Sequence, residues 1–139
     1  METKKILIVE DEAMIRNAIV ERFSENKHFI VMSAKNGKEG LEAALREHPD
    51  FILTDIVMPI MDGMAMLTAL REDEWGKTAE VVFLSNVSDS GRAAEARAKG
   101  VHELIVKSDI DIKELVQKIE KKFFGEEAKG EEVKSPSIP

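Results

Sequence analysis

FILTDIVMPIMDG, residues 51–63, holds four residues that read as a covered strand, a lone carboxylate at Asp55, and Pro59 and Gly63 shortly beyond. A short apolar run bounded by turn-forming residues is the mark of a strand packed on both faces. The same arrangement recurs on either side. KILIV (5–9) precedes Glu10, Asp11 and Glu12, VVFL (81–84) precedes Ser85 and Asn86, and LIV (104–106) precedes Lys107. FIVM (29–32) is a fifth run, followed by no comparable group.

Between these runs the apolar residues fall at helical spacing. Ile15, Ala18, Ile19 and Phe23 form one such set, Leu41, Ala44 and Leu45 a second, and Met66, Leu67 and Leu70 a third. Ile112, Leu115, Val116, Ile119 and Phe123 form the longest, and Ser108 with Asp111 three residues later reads as its capping box. A fourth helix around 89–99 has only alanines on its apolar side, which predicts the loosest packing. Five strand–helix units with nearly unbroken apolar strands predict an α/β fold, a doubly wound five-stranded parallel sheet with right-handed crossovers. After Phe124 the composition turns to GEEAKGEEVKSPSIP, without periodicity, which predicts a domain over 1–124 and a flexible polar tail over 125–139.

A chain of 139 residues, 43% of them hydrophobic, suits one such domain. Its net charge of -7 disfavours nucleic acid and anionic membrane and favours a protein or a small ion as partner. With no cysteine there is no disulfide, thiolate metal site or cysteine nucleophile. METKK leads directly into a strand, and no apolar run approaches a membrane span, so a cytoplasmic protein is expected.

In open sheets of this class, ligands bind beyond the carboxyl ends of the strands where the strand order reverses. The order 2-1-3-4-5 gathers Glu10, Asp11 and Asp55 there, with Ser85 and Lys107 to one side. Crowded carboxylates either raise a pKa or hold a hard cation, and magnesium suits a few carboxylate oxygens with positions left for water and phosphate. Asp55 is then a candidate nucleophile for a phosphoryl group. Lys107 would supply a fixed positive charge and Ser85 a hydrogen bond to the phosphoryl oxygens.

Through ILIVEDE, DIVMPIMDG, FLS and VKS, in that order, residues 4 to about 124 resemble the receiver domains of two-component response regulators, which have a flavodoxin-like fold. The resemblance implies that Asp55 is the phosphoacceptor and that Mg2+ is bound by Asp11 and Asp55, by the Val57 backbone carbonyl, and by Glu10 through water. It implies a histidine kinase or histidine phosphotransfer protein as donor, a downstream protein target, and no enzymatic activity beyond the domain's own phosphorylation and dephosphorylation. Three positions depart from the family pattern. Ser108 stands where proline usually follows the lysine, Asn86 where a small residue usually follows the hydroxyl, and Leu104 where an aromatic switch residue is usual.

Taken singly, each site residue has a plainer reading. Asp11 and Asp55 would be caps or turn residues, Ser85 a turn serine and Lys107 a solvated charge. Their joint placement favours the site. Asp62 before Gly63 reads as a helix cap, and Met58, Met61, Met64 and Met66 as packing residues. Among rivals, an aspartate-based phosphohydrolase would have a second Asp two residues after the nucleophile, where Val57 stands. A P-loop protein would need G-x-x-x-x-G-K-[ST], which is missing. A phosphorylation-independent interaction module is the remaining alternative.

Overall fold

The computed structural model describes residues 2–86, 91–101 and 103–137, with side chains described through residue 125. The chain alternates β1 (Lys4–Val9), α1 (Ala13–Ser24), β2 (Phe29–Ala34), α2 (Gly37–Glu47), β3 (Phe51–Asp55), α3 (Gly63–Glu72), β4 (Val81–Ser85), α4 (Ala93–Ala98), β5 (Leu104–Val106) and α5 (Ile112–Ser137). Short 3-10 turns at Trp75–Thr78 and Lys107–Asp109 precede β4 and α5. The five strands form one parallel sheet in the order β2-β1-β3-β4-β5, as expected.

Alternation along the strands divides the core into two layers. Ile6, Ile8, Leu53, Val82 and Leu84 face Ile19 and Phe23 of α1 and Leu115, Val116 and Ile119 of α5. Leu7, Val9, Ile52, Val81 and Phe83 face Ala44 of α2, Met66, Leu67 and Leu70 of α3, and Ala96 of α4. A fully buried side chain of this kind contributes about 1.5–3 kcal/mol relative to exposure. All five residues of β3 and of β4 are buried, whereas all three of β5 are only half-buried. The stabilising margin is therefore concentrated at β1, β3 and β4.

Helix starts follow local chemistry. Asn36 Oδ1 accepts the Glu39 N–H at 2.9 Å, and Asp62 Oδ1 accepts the Ala65 N–H at 2.8 Å, which makes them the caps of α2 and α3. At α5 the expected cap is corrected. Ser108 lies inside the 3-10 turn, Ile110 is extended, and Asp111 itself accepts the Glu114 N–H at 3.2 Å. The turn that returns the chain after Lys107 occupies the residues a longer helix would need. Helical assignment continues to Ser137, interrupted at Gly125 by φ 65 and ψ −152.

Of α4 only Ala96 is buried, in agreement with its alanine-only apolar side; the expected start at 89 lies outside the described residues. Arg71 of α3 ties down the far end of this helix. Its Nε donates to the Lys99 carbonyl at 2.7 Å, and one terminal nitrogen donates to the carbonyls of Gly76 and Ala79 at 2.7 and 2.8 Å. Met58, Met64 and Met66 are buried and Met61 is half-buried, all in packing roles. No helix among the described residues is long and apolar enough to cross a membrane.

Candidate functional site

Parallel register brings residues distant in sequence to one end of the sheet. Val9 pairs with Thr54, Asp55 with Leu84, and Ser85 with Val106. Glu10 therefore emerges level with Asp55, and Lys107 follows directly on the partner of Ser85. Beyond Asp55 the loop is tightly held. The Gly63 N–H donates to the Ile56 carbonyl at 2.6 Å, and a Cβ on Gly63 would collide with the Asp55 carbonyl oxygen. Only glycine permits α3 to start this close to the site. Within the loop the Met61 N–H donates to the Pro59 carbonyl at 2.7 Å, closing a three-residue turn around Ile60, which has φ 71 and is 78% exposed. A β-branched residue in that region is strained.

Lys107 is the centre of the polar network. Its Nζ donates to Asp55 Oδ2 at 2.7 Å, to Glu12 Oε1 at 2.8 Å and to Glu10 Oε2 at 3.1 Å. Glu10 Oε1 is an ion-pair contact of the same nitrogen at 3.0 Å, and this buried oxygen has no hydrogen-bond partner among the described residues. Asp55 Oδ1 accepts the Ile56 N–H at 2.9 Å, and Glu10 Oε2 also accepts the Glu12 N–H at 2.9 Å. Ser85 Oγ is likewise buried without a partner. An unsatisfied buried hydroxyl costs about 1–3 kcal/mol, a cost that a ligand oxygen would remove.

Burial pushes the Glu10 carboxyl up to about 7, the neighbouring Asp55 charge adding to it, while the Glu12 N–H and Lys107 oppose. Burial also raises Asp55, against the bond from Lys107. For Lys107, burial favours the neutral amine, but bonds to Asp55, Glu12 and Glu10 outweigh it and hold the ammonium above its ordinary pKa. Four acidic side chains, Glu10, Asp11, Glu12 and Asp55, stand against two cationic ones, Lys107 and Arg16, whose guanidinium donates to the Glu10 carbonyl at 2.9 Å. The site keeps a negative surplus.

A cation fits this surplus. Oxygens of Glu10, Asp11 and Asp55 lie within 4.8 Å of one another. Opposite ligands of an octahedral magnesium stand roughly 4.2 Å apart, so the cluster is on the right scale, and its oxygen-only donors suit a hard ion. Asp11 is exposed and Glu10 and Asp55 are buried, which leaves one side of the cluster open to water. Val57, two residues past Asp55, is exposed on the loop.

The residues singled out from sequence thus lie at one end of the sheet, with Lys107 bonded directly to Asp55 and Glu10. In the sequence Glu12 is only the third acid of a run. Its bond to Lys107, 95 residues away, depends on the register of β1 and β5 and has no local signal.

Residues 6–120 match the family described as response regulator receiver domain. Transcriptional regulatory protein PdtaR of Mycobacterium tuberculosis is 33% identical over 117 residues, 84% of this chain and 55% of that protein. A protein-glutamate methylesterase/protein-glutamine glutaminase of Archaeoglobus fulgidus is 32% identical over 123 residues, 85% of this chain and 34% of that one. The chain thus spans between about a third and just over half of these relatives. Among solved structures, the REC domain of AraT, a response regulator from Geobacillus stearothermophilus, superposes with a TM-score of 0.74 at 32% identity, covering 90% of this chain and 98% of that one. Family match, sheet order and the acidic cluster at the switch point agree: the chain belongs to the response regulator receiver domains of two-component systems.

Proposed function

We propose that this receiver takes a phosphoryl group on Asp55 from a histidine kinase or histidine phosphotransfer protein, in a magnesium-dependent reaction, and relays the change to a downstream protein. The observation that carries the reading is the Lys107 ammonium bonded to Asp55 Oδ2, with the Ser85 hydroxyl buried at the same end of the sheet and without a partner among the described residues. Magnesium, held by Asp11 and Asp55, the Val57 carbonyl, and Glu10 through water, would supply charge neutralisation for the incoming phosphate. An Asp55 carboxylate oxygen forms a bond to phosphorus as the phosphorus–nitrogen bond of the donor histidine breaks and its electron pair stays on the imidazole. Lys107 then turns an N–H toward a phosphoryl oxygen, and the Ser85 hydroxyl donates to another.

Further features extend this reading. Residues 1–124 form the receiver and 125–139 a polar tail, a division supported by the helix break at Gly125. The chain has no catalytic activity toward other molecules and works in the cytoplasm, without direct contact to nucleic acid or membrane. Output runs mainly through α4, because Leu104 lacks the hydrogen-bonding group of an aromatic switch and α4 is anchored in the core by Ala96 alone. Incubation with magnesium and acetyl phosphate should add one phosphoryl group by intact mass, and Asp55→Asn should take up none. Unchanged wild-type mass, or equal labelling of Asp55→Asn, would favour the phosphorylation-independent interaction module.

A further inference from the structure

Three N–H bonds radiate from a lysine ammonium, and here three carboxylates accept them. Two of the acceptors, Glu10 and Asp55, belong to the cluster whose oxygens can hold a cation; Glu12 does not. The side chains of Glu10 and Asp55 are 0% and 2% exposed, whereas that of Glu12 is 57% exposed. Glu12 also stands at the N-cap of α1 without making a side-chain cap bond. Its carboxylate therefore serves Lys107 rather than the helix.

A cation and the ammonium draw on the same two carboxylates, Glu10 and Asp55. A divalent ion seated between them repels the ammonium and weakens its hold on these inner partners. Glu12 is the acceptor already in place on the solvent side, where the ammonium regains water as it moves. We propose that Glu12 is a positioning residue, the partner onto which Lys107 shifts as the cation is taken up, so that the ammonium stays at the mouth of the site. This rests on the magnesium reading above only in requiring that the cation use Glu10 and Asp55.

The two effects of Glu12, its own charge near the metal and its hold on Lys107, separate in a double-mutant cycle. Calorimetric titration with magnesium, without phosphodonor, is the measurement. Glu12→Ala should weaken magnesium about fivefold, because Lys107 is left bound only to the two carboxylates that the cation also draws on. Glu12→Gln, which keeps an acceptor oxygen without the charge, should fall between. In a Lys107→Met background the same Glu12→Ala change should cost less than twofold. An equal loss in both backgrounds would reduce Glu12 to a through-space charge, and no loss in either would overturn its role altogether. If circular dichroism shows Lys107→Met unfolded, the side-chain nitrogen resonance of Lys107 decides instead. It should remain slowly exchanging in magnesium-loaded wild type and be lost in magnesium-loaded Glu12→Ala; retention in both would overturn the proposal. Since no phosphodonor is present, failure of Asp55 to accept phosphate leaves this result unaffected.

Discussion

The two sides of the sheet's switch point differ in how they are held. Around β1 and β3 the constraints accumulate: both strands are covered on both faces, α2 and α3 have side-chain caps, and Gly63 presses α3 against the Asp55 carbonyl. Around α4 and β5 the reverse holds, with one buried alanine in the helix and no fully buried residue in the strand. The acceptors Glu10 and Asp55 sit on the stiff side, and Lys107 reaches them from the end of the loosely packed β5. One carboxylate network is therefore built from both parts of the same sheet, its acceptors fixed and its donor carried on the less buried strand.

Paired truncations test this contrast most strongly. Leu53→Ala, in the middle of β3, should cost about 3–4 kcal/mol in urea denaturation, while Leu104→Ala in half-buried β5 should cost about 1 kcal/mol. Equal losses would mean the two sides are equally packed, and the contrast would fail.

Protonation of Glu10 and Asp55 bears on the stiff side. Glu10 binds its proton more tightly when folded, since its carboxyl is pushed up to about 7 from the ordinary 4.5, and Asp55 shifts in the same direction. The associated stability is complete below about pH 4.5 and is lost as pH rises through about 7. In magnesium-free buffer with EDTA, stability should therefore fall between pH 5 and pH 8, on the order of 2 kcal/mol, and Glu10→Gln should flatten the profile. A wild-type curve that rises with pH over this interval would contradict the burial of Glu10 as a destabilised anion.

Smallest of the expected effects is a gain. Ile60→Gly removes the strain of a β-branched residue at φ 71, about 1–2 kcal/mol, and adds back about 0.5–1 kcal/mol of chain entropy. The net should be a stabilisation of about 0.5 kcal/mol, read from the shift in denaturation midpoint. A loss instead would show that the Ile60 side chain, though exposed, contributes more than its backbone costs.

Much of this was legible in the chain because buried parallel strands cannot hide: each apolar run named from sequence is a strand, extended by one or two residues at most. Asp62 was legible as a cap from its place before Gly63. Asn36 carries the same signal, followed three residues later by Glu39, and caps α2 in the same way. Ser108 is the opposite case, a capping pattern that a tertiary turn had already claimed. The bond from Glu12 to Lys107 lay beyond any local pattern, since only strand register brings those side chains together.

Arg71 gives the loose region an anchor. Its guanidinium grips the Lys99 carbonyl just past the last turn of α4 and is itself fixed to the carbonyls of Gly76 and Ala79. At the opposite end Arg92 reaches Asp62 only at 3.8 Å, across a half-exposed gap. The C-terminal end of α4 is thus knotted to α3 and to the Trp75–Thr78 turn through a single side chain, so any displacement of that end must break the bond to Lys99 or carry Arg71 with it.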